Sequence, residues 1–332
     1  MFRRAITLTS ACLLTLMMTA STIFAASSTT SQSTVANGLK ISPVRTDLTI
    51  DPGKSVTLPV YITNATNSST KLQVVIDNFV AKGQNGVPEL ILGNSNSYDP
   101  HGLKRFIAPI GDISLTPHQE SFVNVKITIP TNTPGGGYYA AVRVAPATIN
   151  ATKNVTLSAS VASLVLVKVP GPGLSQQVAI SSFNVQKNNQ AGRFFFGSNG
   201  LSAVVSFNNT GNVQEEPFGK VTVQNMSGKT ILTKSINQVT PPGSVLPSSI
   251  RSFSVPLSGL GSFGKYTVSG YFGYGTSGQL LSASTVIYVV APWIIVLIGV
   301  IIVLIIFGIW GMPKLFRYWY RRSINKNVAN NK

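Results

Sequence analysis

The chain has 332 residues, with 26 Lys or Arg against 9 Asp or Glu and a formal net charge of +17. Its one cysteine, Cys12, leaves the remainder without disulfides, thiolate metal sites or thiol nucleophiles, so its domains must hold themselves by hydrophobic burial. Charged residues are few, while Ser, Thr, Asn, Gly and Val abound, the composition of an all-β exterior module with many turns.

Arg3 and Arg4 precede an apolar run from Ala5 to Met18, and Ile23-Phe24-Ala25 offers a cleavage site, so residues 1–25 read as a signal peptide. Cys12 sits in the middle of the apolar run and not after it, which argues against lipidation. Residues 26–38 are Ser/Thr-rich without apolar periodicity and read as a flexible lead-in.

From Leu39 the pattern turns to period two. Leu39 to Val44 is a strand that Pro43 should confine to an edge. Asp51-Pro52-Gly53-Lys54 is a turn, followed by strands over Ser55 to Thr63 and Lys71 to Val80. The stretch from Ala81 to Pro109 is irregular and longer than a sandwich turn requires, with Asp99-Pro100 opening a short helical turn through Phe106. Strands resume at Ser121 to Ile129, Tyr138 to Val144 and Val155 to Val169. Seven or so strands over residues 39–169 suit an immunoglobulin-like sandwich.

Pro170-Gly171-Pro172-Gly173 marks a linker over residues 170–175. A second series of strands fills residues 176–290: Gln177 to Val185, Leu201 to Asn208, Gly219 to Gln224, Lys229 to Ile236, Ile250 to Val255, Lys265 to Tyr271 and Leu280 to Val290. Asn209-Thr210-Gly211-Asn212 and Ser227-Gly228 are turn signals. The expected fold is all-β, two immunoglobulin-like β-sandwiches followed by one transmembrane helix.

That helix falls within residues 291–312. Trp293 to Met312 holds twenty residues without a charge, fourteen of them Ile, Leu, Val or Phe. At 1.5 Å per residue it covers roughly 30 Å, the hydrocarbon thickness of a bilayer. Residues 313–332 carry Lys314, Arg317, Arg321, Arg322, Lys326 and Lys332 and no acid, which places this tail in the cytoplasm and both sandwiches outside. Phe316, Tyr318, Trp319 and Tyr320 alternate with those cations as in a segment lying among lipid headgroups, so membrane lipid is an expected partner and nucleic acid is not. The exterior part carries eighteen basic residues against nine acidic ones, which suits anionic neighbours such as a cell-wall polymer.

Two parts of the chain resemble a known family. Asp51-Pro52-Gly53, Leu115-Thr116-Pro117 and Ile129-Pro130 through Pro134-Gly135-Gly136-Gly137-Tyr138-Tyr139-Ala140-Ala141-Val142 resemble the amino-terminal domain of the WxL-interacting surface proteins of Gram-positive bacteria. Phe207-Asn208-Asn209-Thr210-Gly211-Asn212, followed by Pro217-Phe218-Gly219, is similar to a run in their membrane-proximal part. The resemblance implies a first domain that binds peptidoglycan and a second that binds a partner or host. No individual binding residue carries over from it.

Catalytic chemistry has little to draw on. His101 and His118 belong to no HExxH, HxH or Ser-His-Asp pattern, and both read as exposed loop residues. The carboxylates are scattered, and Glu215-Glu216, neighbours on a strand, should face opposite ways. Gly135-Gly136-Gly137 lacks a following Lys-Ser/Thr and reads as a tight turn. Asn64, Asn67, Asn150, Asn154, Asn208 and Asn225 each begin an N-x-S/T triplet, and no LPxTG-like sorting signal occurs. Neither an enzyme nor a cofactor is expected.

Two surfaces are candidate binding sites. His101, Lys104 and Arg105 on the long loop would meet an anionic wall polymer. Tyr138-Tyr139 and Tyr271-Phe272-Gly273-Tyr274 place rings on both faces of their strands, so that one of each group is core and the other can stack on a sugar. The leading expectation is a membrane-anchored binding or scaffold protein that engages cell-wall polymer (peptidoglycan or an anionic glycopolymer), a surface protein, or both. An exported chaperone or assembly factor acting by strand donation is the alternative, and a wall-modifying hydrolase the second.

Overall fold

A computed structural model describes residues 34–36, 38–92, 99–147 and 160–319. The expected signal peptide, Cys12, most of the lead-in, the triplets at Asn150 and Asn154, and the tail cations Arg321, Arg322, Lys326 and Lys332 lie outside the described residues.

The described residues form two immunoglobulin-like β-sandwiches and one carboxy-terminal helix. The first sandwich contains β1 (Thr34–Ala36), β2 (Leu39–Ser42), β3 (Arg45–Thr49), β4 (Ser55–Asn64), β5 (Thr70–Lys82), β6 (Val87–Ile91), β7 (Ile113–Leu115), β8 (Glu120–Thr128), β9 (Gly136–Pro146) and β10 (Val161–Val169). One sheet runs β1-β2-β4-β8; the other runs β3-β10-β9-β5-β6, with β7 also on β5. Alternation decides the faces: Val60, Ile62, Val123, Val125 and Ile127 point inward to meet Leu72, Val142, Val165 and Val167.

Pro43 does not make an edge strand. β2 lies between β1 and β4, and Pro43, which has no N–H to give a ladder, sits where the chain leaves one sheet for the other. Beyond it β3 pairs in parallel with β10, Arg45 opposite Leu164 and Thr49 opposite Lys168. The long loop folds back through a 3₁₀ turn at Lys104–Phe106. Asp99 starts it by accepting from the His101 N–H at 2.9 Å.

The second sandwich contains β11 (Val178–Lys187), β12 (Gln190–Gly192), β13 (Phe194–Phe196), β14 (Leu201–Asn209), β15 (Phe218–Gln224), β16 (Thr230–Ile236), β17 (Ser249–Pro256), β18 (Gly264–Tyr274) and β19 (Gln279–Val290). Its sheets run β12-β11-β14-β17 and β13-β19-β18-β15-β16. Phe207 and Phe272 meet edge to face at its centre, 5.2 Å between ring centroids. Buried Asn209 shapes the turn after β14, donating to Val213 O and Val245 O and accepting from the Gly211 N–H. The triplets at Asn64 and Asn225 are turns of the same kind, each side-chain oxygen taking the N–H two residues on.

The linker is pinned. Gly135 N–H donates to Pro172 O, Asn212 donates to both Gly135 O and Gly173 O, and Ser175 N–H returns to Asn212. This also corrects the reading of the glycine run as a tight turn. Gly136 and Gly137 belong to β9, and a Cβ on Gly135 would stand 2.6 Å from Gly171 O, so the run serves close backbone approach.

Val290 is followed by Ala291 and then by α1 (Pro292–Ile306). A π turn at Phe307–Gly311 follows, and the helical span as a whole is Pro292–Trp319, long and apolar enough to cross a membrane. The π turn comes just before Pro313, whose ring and missing N–H would disrupt a regular α ladder.

Candidate functional site

The two sandwiches meet along a band of specific contacts. Arg45 on β3 reaches across, donating to Pro242 O at 2.6 Å, to Ser244 Oγ at 2.6 Å and to the Glu216 carboxylate, while also pairing with Asp47 at 2.8 Å. Burial opposes the Arg45 charge, but Asp47 and Glu216 outweigh it and hold the guanidinium above its ordinary pKa. Glu215 accepts from Gln176 at 2.7 Å and exchanges backbone hydrogen bonds with Val245. Burial pushes the Glu215 carboxyl up despite Gln176 and the nearby Lys168 charge, and burial likewise raises Asp47 against the pull of Arg45. The adjacent carboxylates are therefore held by different partners, Glu215 by Gln176 and Glu216 by Arg45 and Ser244, and both border the same cleft.

An apolar patch backs this band: Phe79, Tyr139, Ala141 and Leu166 of the first sandwich pack with Leu246 of the second. At the far side, the turn between β5 and β6 touches the outer strand β17. Ser252 N–H donates to Gln84 O at 2.8 Å, its hydroxyl reaches Gln84 Oε1 at 2.9 Å, and the Arg251 guanidinium lies against Gly86.

Beside the band opens a cleft of about 410 Å³. Asp47, Leu48 and Thr49 of β3, the terminal strand of its sheet, form one wall; Glu215, Glu216 and Phe218 form the other, with Lys168 and Thr276 between. Phe218 also belongs to a second, more apolar groove of about 690 Å³ on the outer face of the β15–β18–β19 sheet. Tyr271 and Leu280 flank Phe218 there, both well exposed, and the absence of a side chain at Gly273 lets the Phe218 ring lie across the strand. A charged cleft and an aromatic groove thus share one side chain.

The residues singled out from sequence are distributed unevenly about this site. Tyr271 is in it, 53% exposed. Tyr274 is buried in the second core. Tyr138 and Tyr139 correct the expectation of one exposed ring, because both are buried, at 5% and 2% exposure. β9 is an interior strand whose inner face packs in the core and whose outer face is covered by the other sandwich. Tyr138 donates to Pro134 O at 2.9 Å and Tyr139 to Gln214 Oε1 at 3.0 Å.

His101 is also less open than expected. Its Nδ1 lies 2.8 Å from Gly137 O and its ring faces Tyr139, 6.0 Å between centroids. Arg105 is engaged with its own loop, donating to Asp99 O and Pro100 O and lying over the Phe106 and Tyr138 rings. Lys104 is exposed, while its N–H is held by Asn78. His118 is exposed and pairs with Asn67 at 2.8 Å. Sequence reasoning missed Arg45, Phe218 and Leu280. A cation straight after a proline crossover, and an aromatic two residues before a strand lysine, were the only local signals.

No family model matches the chain, and no curated protein does. Among solved structures, it is similar to the class 5 fimbriae chaperone CfaA, at 14% identity and a TM-score of 0.37, over 76% of this chain and 99% of that one. It is also similar to the E. coli chaperone DraB, at 13% identity and a TM-score of 0.33, over 74% and 96%. The Salmonella enterica SafA pilin–SafB chaperone complex matches at 13% identity and a TM-score of 0.31, over 77% and 98%.

Proposed function

We propose that this chain is a membrane-anchored, non-enzymatic binding protein of the cell exterior, and that its partner is a surface protein presenting an extended segment to the junction of the sandwiches. The observation that carries the reading is the cleft that runs into the aromatic groove through Phe218, with the terminal strand β3 along one wall. A strand without a neighbour on one side offers backbone donors and acceptors to an extended peptide. Asp47 and Glu216 suit a basic side chain of that peptide, and Phe218, Tyr271 and Leu280 suit an aromatic or aliphatic one. The cleft carboxylates are tied to Arg45 and Gln176, which favours recognition over acid–base chemistry.

An assembly role toward an exported subunit is the narrower form of the same proposal. The SafB chaperone was solved in complex with the SafA pilin. Here that form rests on the terminal strand and the cleft, not on similarity of outline. Membership of the WxL-interacting family, and peptidoglycan binding by the first sandwich, belong to the proposal as well. With Tyr138 and Tyr139 buried and Arg105 engaged, the polymer-binding half has lost most of its candidate contacts.

A photo-crosslinking aromatic amino acid at position 271 in intact cells tests the reading. The expected result is one discrete protein adduct, lost in the Phe218→Asp/Leu280→Asp double variant. Adducts to glycan alone, or none, would count against a protein partner.

A further inference from the structure

The end of the second sandwich from which the helix departs is unlike the end that meets the first sandwich. β18 begins there, Gly264 opposite Val289, and the chain enters α1 at Pro292. The parallel strand β13 lies alongside the last residues of β19, with Phe194 opposite Tyr288 and Phe196 opposite Val290. Gly197 N–H then donates to Val290 O at 2.9 Å. At about 3.3 Å per residue, Tyr288 stands only about 13 Å along the chain from the start of the helix.

Among the described residues, large apolar side chains crowd this end and stay exposed. Phe194 is 72% exposed and Phe196 62%, and Phe194 stacks on Tyr288 with 5.0 Å between centroids. Phe263, just before β18, and Met226, on the turn after β15, are exposed at the same level. Only Phe195 of the three consecutive phenylalanines points into the core. Scattered exposed apolar residues need no explanation, but a cluster of aromatics at one pole does.

The acids of this sandwich are confined to the far pole, while its cations, Lys220 and Arg251 among them, occupy both. From Gln176 onward the only acids are Glu215 and Glu216, both at the opposite pole beside the cleft. Arg193, Lys229 and Lys265 are exposed toward the helix end, and Lys187 Nζ caps it by donating to Phe196 O at 2.6 Å.

We infer that this pole is a second membrane contact, with Phe194, Phe196, Phe263 and Tyr288 seated at the headgroup–acyl boundary of the bilayer that the helix crosses and the cations facing anionic headgroups. The inference rests on the reading of Pro292–Trp319 as membrane-spanning. The occupant is lipid and not a protein because the rings continue the helix itself. With Ala291 alone between β19 and the helix, the pole is held at the interface, where aromatic and basic side chains are favoured. The contact fixes the tilt of the whole exterior part, so that the cleft is presented at a set height and angle.

The test uses the full chain with Cys12→Ser, carrying Phe194→Cys, Phe263→Cys or Ser277→Cys and an environment-sensitive fluorophore. It is reconstituted in phosphatidylcholine vesicles with and without phosphatidylglycerol. Ser277 lies on the exposed β18–β19 turn at the opposite pole. Labels at 194 and 263 are expected to be quenched at least threefold more by brominated lipid than the label at 277, and more strongly still with phosphatidylglycerol. Arg193→Glu with Lys265→Glu should remove that increment. Equal quenching of all three by a water-soluble quencher, in protein that resists alkaline extraction, overturns the inference while leaving the anchor intact. Extraction by alkali overturns the anchor as well. Protection that grows with protein density and ignores brominated lipid assigns the pole to a second copy and also overturns it.

Discussion

Tyr139 of the first sandwich donates its hydroxyl to Gln214 of the second at 3.0 Å. Burial pushes that phenol well above its usual range. The ring packs beside Phe79 and Leu246, so it is a junction residue and not a sugar platform. Tyr139→Phe keeps the packing and strands the Gln214 oxygen, at an expected cost of about 1–2 kcal/mol. Tyr139→Ala opens a cavity and should cost about 3–5 kcal/mol. Tyr271→Ala, on the exposed sheet face, should stay within about 0.5 kcal/mol. Urea unfolding of the detergent-solubilised chain compares the three, and similar losses for the two alanine variants would contradict these assignments.

Arg45 and Glu216 lie 171 residues apart and pair across the junction. Arg45→Ala leaves both Asp47 and Glu216 without their cation, yet each is over a third exposed, so solvent offsets much of the loss. The expected cost is about 1–3 kcal/mol, with a coupling of about 0.5–2 kcal/mol to Glu216→Gln in a double-mutant cycle. Limited proteolysis at residues 170–175 should accelerate in the single variants. Strict additivity, with unchanged cleavage, would show that the pair does not hold the sandwiches together.

Gly135 gives a purely steric case. A Cβ there would lie 2.6 Å from Gly171 O and 2.9 Å from Leu174 N, both backbone atoms of the pinned linker. Gly135→Ala must therefore displace the linker, costing about 1–3 kcal/mol. Gly111, whose added Cβ would meet nothing, is the control. Matching melting temperatures for Gly135→Ala and Gly111→Ala would show that the linker yields freely.

Most strands were legible because alternation is local. Val123, Val125 and Ile127 announce β8, and the second series is readable within a few residues of its observed bounds. β3 was not readable, since Arg45-Thr46-Asp47-Leu48-Thr49 has one apolar residue and owes its strand state to β10, more than a hundred residues on. β13 hid for the opposite reason: three phenylalanines in a row show no alternation, although only Phe195 is buried. The candidate site was less legible still. Tyr138 and Tyr139 follow the two-face rule for a strand, but the cover over the outer face comes from Leu246 and Gln214, which no local pattern connects to β9.

Glu215 supplies a prediction in pH. Burial raises its carboxyl above the ordinary value of 4.5, so the native state holds the proton more tightly than the unfolded chain does. Its contribution to stability therefore falls as pH climbs from the ordinary value through the raised one, and the penalty is fully present only above the raised one. Glu215→Gln removes the anion while keeping an oxygen for Gln176 to donate to. The variant should be more stable than the parent at pH 7, and the gap should close as pH falls below the ordinary carboxylate value. Asp47, which burial also raises, titrates in both proteins and cancels in the difference. Thermal melts of the two chains across that range read the difference directly. A variant less stable at neutral pH, converging with the parent in acid, would mean that Lys168 and Gln176 outweigh burial and that the junction favours the charged form.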